Sequence, residues 1–94
     1  MATTNTNNSG SRAQSPFAEL VAAELIEARQ KHGPMNSLHE SWAVIYEEVD
    51  ELWEHVRKKA KNRDKEEILK ELVQIAAMCQ KSAEDLILNN NSKT

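Results

Sequence analysis

Two short acidic runs carry the side chains best suited to chemistry. The first is Glu47-Glu48-Val49-Asp50-Glu51 and the second is Glu71-Leu72-Val73-Gln74. Each holds a pair of oxygen-bearing side chains three residues apart, Glu48 with Glu51 and Glu71 with Gln74. On a helix such pairs are surface neighbours. Three carboxylates brought close repel one another unless protons or a cation intervene. No Lys or Arg stands four residues after Glu47, Glu48, Asp50 or Glu51 to relieve the charge. The bland alternative is a solvated acidic face. The chemical reading is a divalent-cation site with Glu48, Glu51 and Glu71 as ligands and Gln74 in a fourth position. Oxygen-only ligands favour Mg²⁺, or Mn²⁺, over zinc.

Such a site needs two helices that hold the pairs against each other, and the sequence predicts three helices. The first begins at Ser15 as N-cap with Pro16 next, and carries Phe17, Leu20, Val21, Leu25 and Ala28 at helical spacing. His32-Gly33-Pro34 ends it. The second starts near Ser37, with Glu40 completing a capping box. Its apolar stripe is Trp42, Ile45, Val49, Leu52, Trp53 and Val56, fading into Arg57, Lys58, Lys59 and Lys61. The third follows Asp64, with Glu67 as its box partner and Ile68, Leu72, Ile75, Ala76, Cys79, Ala83 and Leu86 as its stripe. Centre the second stripe on Val49, and Glu48 and Glu51 fall ~100° and ~160° to one side. Centre the third on Leu72, and Glu71 and Gln74 take the same angles. An antiparallel pair would bring the two devices together at the interface edge.

No segment alternates with a period of two, so the expected fold is all-α. It is a small helical bundle of about three helices per chain, completed by oligomerisation. The ordered domain is expected over 15–88, with disordered tails at 1–14 and 89–94, where Asn, Ser, Thr and Gly leave nothing to bury. A domain this small often needs a partner chain, a metal or disulfides. Cys79 is the only cysteine, so no internal disulfide exists, and a small core residue is its expected role. A net charge of −3 argues against nucleic-acid binding. No apolar run reaches the ~20 residues of a membrane span. The expected setting is cytoplasmic.

Glu47-Glu48-x-x-Glu51 followed by Glu71-x-x-Gln74 resembles the EExxE…ExxD signature of the MazG-like nucleoside triphosphate pyrophosphohydrolases, an all-α superfamily. The segment from His32 to Glu40 (His-Gly-Pro-Met-Asn-Ser-Leu-His-Glu) looks like the stretch before the acidic helix in short, phage-type members. Glu71-Leu72-Val73-Gln74-Ile75-Ala76-Ala77-Met78 looks like their third-helix segment. The resemblance covers about residues 17–88. It implies an enzyme that hydrolyses a (d)NTP to a (d)NMP and pyrophosphate with Mg²⁺ or Mn²⁺. It makes Glu48, Glu51 and Glu71 metal ligands, with Glu47 holding a second metal or orienting the attacking water. It implies a homodimer or homotetramer. The family's second-motif Asp is Gln74 here; an amide offers one oxygen but no charge and no base. That departure keeps a second reading alive, a non-catalytic helical module that binds nucleotide or only oligomerises. A relative that cleaves a phosphoribosyl-nucleotide is a third.

Other residues have paired readings. Lys58, Lys59, Lys61 and Arg63 are either a solvated helix end or a clamp for phosphates. Arg29 and Lys31 are weaker candidates for the same clamp. Asn36 and His39 either fix the loop and surface or contact the substrate. His55 lies on the Glu48 side of its helix, where it could support a ligand. Trp42, Tyr46 and Trp53 are core, subunit interface or base-stacking residues.

Overall fold

A computed structural model describes residues 15–89. The expected tail at 1–14 and all but the first residue of that at 89–94 lie outside the described residues. The chain forms three helices, α1 (Pro16–Lys31), α2 (Leu38–Val56) and α3 (Lys65–Ala83), and no strand occurs among the described residues. This is the all-α fold expected from the periodicity.

The helix starts are set locally. Ser15 Oγ accepts the Ala18 amide at 3.1 Å, and Pro16 occupies the first turn, where its missing N–H costs nothing. Ser37 Oγ accepts the Glu40 amide at 3.0 Å. The Glu40 carboxylate reaches back to the Asn36 N–H at 2.6 Å, one residue earlier than the simple box predicts. Asp64 Oδ1 accepts the amides of Glu66 and Glu67.

The helix ends depend on the rest of the molecule. Gly33 was expected to stop α1 as a C-terminal glycine. Instead His32 turns extended (φ −134°, ψ 151°), and Gly33 does not adopt the left-handed backbone. The strap that follows is pinned by α3. Lys81 Nζ donates to Gly33 O at 2.7 Å, and the Met35 N–H donates to Asp85 Oδ2 at 2.8 Å. At the far end α3 does not run on regularly to Leu86 but passes into a π turn, Glu84–Leu88. A π turn changes the helical phase. Here both Glu84 and Asp85 meet Arg29, at 3.0 and 2.9 Å.

The core corrects the expected helix phases. Val21 and Leu25 of α1 pack on Val73 and Ala77 of α3, with Ala76 and Met78 beside them. Ala77 is wholly enclosed, whereas Leu72, the expected centre of the α3 stripe, is 41% exposed. On α2 the expected core residues Trp42, Val49 and Trp53 are 69%, 43% and 54% exposed, and Ser41 is the buried position. Within one chain, therefore, α2 and α3 meet through their flanks, and the exposed part of each stripe, Trp42, Val49, Trp53 and Leu72, faces outward while Ile45, Leu52 and Ala76 stay partly buried. The flank that α2 turns inward is the one bearing Ser41, Glu48 and His55. Cys79 shares the outward stripe of α3 and is exposed, not buried as expected. The physical reason is that three helices cannot enclose every apolar stripe; the buried positions include the small residues Ser41, Ala77 and Ser82.

Candidate metal centre

Because α2 and α3 pack flank to flank, their acidic pairs meet. Glu48, Glu51 and Glu71 each place a carboxylate oxygen within 4.8 Å of the other two. Glu71 is buried, Glu48 half-buried and Glu51 exposed, so the cluster is closed at one end and open at the other. Glu48 Oε1 and Glu71 Oε1 are buried and accept no hydrogen bond. His55 Nε2 lies 3.7 Å from Glu71 Oε2.

The electrostatics follow from this crowding. Burial first, then the charges of Glu51, Glu71, Glu47 and Glu24, push the Glu48 carboxyl up to about 7. Glu71 is also raised, first by burial and then by Glu51, with His55 and Lys70 pulling it back. Three carboxylates held together in this way repel one another unless protons or a cation intervene, which makes the cluster a candidate cation site. The donor set fits a hard divalent ion: all-oxygen, partly solvated, with two buried oxygens that have no hydrogen-bond partner. A Mg²⁺ or Mn²⁺ bound there would be held by Glu48, Glu51 and Glu71.

Glu48 also borders a cleft of about 430 Å³ between the three helices. Glu47 and Gln74 line it beside Glu48. The cleft then extends past Val44 and Met78 toward Met35, Lys31, His32 and Lys81. Of the predicted ligands, Glu48 lines the cleft together with the predicted fourth position, Gln74, whereas Glu51 and Glu71 do not. Nor do the predicted substrate contacts. Lys58, Lys59, Lys61 and Arg63 are exposed around the turn Ala60–Asn62, and none of them lines the cleft. Arg63 donates from Nε and Nη2 to Val56 O at 3.1 and 2.6 Å, closing the C-terminal end of α2. Asn36 is held by its backbone bond to Glu40, and His39 is exposed; neither lines the cleft.

Sequence reasoning missed the polar group at the other end of the cleft. Arg29, placed among the phosphate candidates, instead binds Glu84 and Asp85. Lys31 pairs with Glu27 at 3.4 Å and lines the cleft. Lys81 and Asp85, four residues apart, are nearly enclosed, with side chains 4% and 7% exposed. The only signal available was a Lys and an Asp at helical spacing near the end of the third apolar stripe, which reads equally well as surface. Comparison with protein families, with curated proteins and with solved structures returned no match.

Proposed function

We propose that this chain is a divalent-cation-dependent nucleotide pyrophosphohydrolase that works as a homo-oligomer, converting a (d)NTP and water to a (d)NMP and pyrophosphate. One observation carries the reading. Glu48, Glu51 and Glu71 converge with two buried, unpartnered oxygens, and Glu48 also borders a cleft large enough for a nucleotide. The likeness of these residues to the MazG-like signature supports it.

A divalent ion, when bound, would offset triphosphate charge and make water a stronger acid. The chain's own residues supply the rest. Glu48, Glu51 and Glu71 stand on rigid helices, so the ligand geometry is fixed before substrate arrives. Glu47 lines the cleft next to Glu48, and in this reading it orients a water or takes its proton. Gln74 contributes an amide oxygen without charge.

The outward stripes support self-association. Trp42, Tyr46, Val49 and Trp53 of α2 and Leu72 of α3 are exposed apolar side chains on helices that also carry the acidic site. A second copy covering them would enclose the open side of the bundle. No helix of the described residues is long and apolar enough to cross a membrane. A lone cysteine suits a reducing compartment, so the reading places the protein in the cytoplasm.

The test is pyrophosphate release from the eight common (d)NTPs with Mg²⁺ or Mn²⁺, for the wild type and Glu48→Gln. The reading expects release by the wild type and a loss of at least a hundredfold in the variant, which stays folded. No release from any substrate would favour the second reading, a non-catalytic helical module, for which Gln74 is the supporting feature.

A further inference from the structure

Lys81 is the most enclosed charged residue among those described, at 3% exposure. An ammonium has three N–H donors. One goes to Gly33 O at 2.7 Å. Asp85 Oδ2 lies 3.7 Å away, beyond hydrogen-bonding length, and already accepts the Met35 N–H, while Oδ1 accepts Arg29 Nη1. Two donors of a nearly enclosed cation are therefore left without an acceptor among the described residues. Burying a charge with donors unmet is costly, so an acceptor that completes the set is favoured.

Lys81 borders the same cleft as Glu48. On α3, Gln74 marks the acidic end and Lys81 the other, two turns on, which is roughly 10 Å along the axis. That span matches the reach from a 5′-phosphate to the far edge of a nucleobase. Between them Met78 from α3, Val44 from α2 and Ala28 from α1 form an apolar strip, flanked by the carboxylates of Glu24 and Glu40. A flat ring fits such a strip, and a polar group at the end fixes its orientation.

We propose that Lys81 reads the base: its free donors bind the carbonyl oxygen on the far edge of a keto nucleobase, such as O6 of guanine or O4 of thymine and uracil. This rests on the acidic end being the phosphate end, as proposed above. Adenine and cytosine present an amino group at that edge, which meets the ammonium donor to donor. A site built around a buried donor rejects the analogue that leaves it unpaired. The Gly33 bond then has a second consequence. It holds Lys81 in place and ties the strap between α1 and α2 to the reading group.

The experiment measures equilibrium binding of the α,β-imido analogues of dGTP, dTTP, dATP and dCTP with Mg²⁺, by calorimetry. The wild type should bind the dGTP and dTTP analogues at least tenfold tighter than the other two. Lys81→Met should erase that preference, and Lys81→Arg should keep part of it, with circular dichroism showing both variants folded. A wild type with no keto preference overturns the proposal without recourse to any variant, as does a folded Lys81→Met that retains it. Binding of all four analogues with equal affinity leaves the nucleotide reading standing and sinks only this one. Binding of none removes the nucleotide reading and this proposal together.

Discussion

His55 Nε2 on α2 stands 3.7 Å from Glu71 Oε2 on α3, so the most buried carboxylate of the acidic cluster has a histidine at its side. The contact bridges the two helices that supply the cluster, and the imidazole opposes the upward push that burial and Glu51 exert on Glu71. Neighbours that orient a metal-ligating carboxylate typically contribute ~10–100-fold to affinity. His55→Ala should therefore weaken Mn²⁺ binding by about tenfold while leaving the helix content unchanged. Electron paramagnetic resonance titration of free Mn²⁺ reads this directly. Equal affinity in the variant would mean that α3 alone orients Glu71.

Stability of the metal-free protein should depend on pH through Glu48. Its carboxyl is raised from 4.5 to about 7, chiefly by burial. A raised carboxyl favours the folded state while it is protonated. That contribution is complete below the unfolded value and is lost as pH rises through about 7. The full shift corresponds to about 3 kcal/mol at ~1.36 kcal/mol per unit, and solvent around this half-buried group reduces it to roughly 1–2 kcal/mol. Thermal midpoints without metal should fall as pH rises from just above 4.5 through about 7. Glu48→Gln, or saturating Mg²⁺ on the wild type, should flatten the curve. A midpoint that climbs across the window would contradict the assignment.

Asp85 should matter more for stability than its place near the chain end suggests. Its side chain is 7% exposed and joins Arg29, the Met35 amide and, at 3.7 Å, Lys81. Asp85→Asn leaves the enclosed Lys81 without its counter-charge, while Arg29 keeps Glu84, and breaking such a buried pair costs about 3 kcal/mol. Urea denaturation should show the lower midpoint. The Asp85 carboxyl sits below 3.8, held down by the Met35 amide and Arg29 against the opposing effect of burial. Its contribution is thus present above the unfolded value and disappears as pH falls through the lower folded one. A variant as stable as the wild type would show that the network is incidental.

The exposed stripe makes a prediction about association. Val49→Glu, or Trp53→Glu, places a charge in the middle of the outward apolar face of α2. If a second copy covers that face, the variant should elute as a smaller species, and the wild-type midpoint should rise with protein concentration. A wild type that is monomeric at every concentration tested removes the homo-oligomer from the proposed function.

Much of the fold was legible because its causes are local. Ser15-Pro16, Ser37 with Glu40 and Asp64 cap their own helices within four residues, and no partner elsewhere in the chain is needed. The acidic pairs were legible for the same reason: a three-residue spacing fixes a shared face once the helix is granted. The phases were less so. Leu72 and Val49 looked like core because a hydrophobic stripe says that a face wants covering, not which body covers it.

The sequence by itself determined three helices, their starts, and the two flanks on which Glu48, Glu51, Glu71 and Gln74 sit, since periodicity and capping act over a single turn. Only the tertiary structure decided that those flanks face each other, that His55 sits beside Glu71, that Arg63 closes a helix rather than a site, and that Lys81 faces the cleft. Each of these depends on how helices rotate about their own axes when they pack. That rotation is a property of all three helices together, which no single turn of sequence encodes.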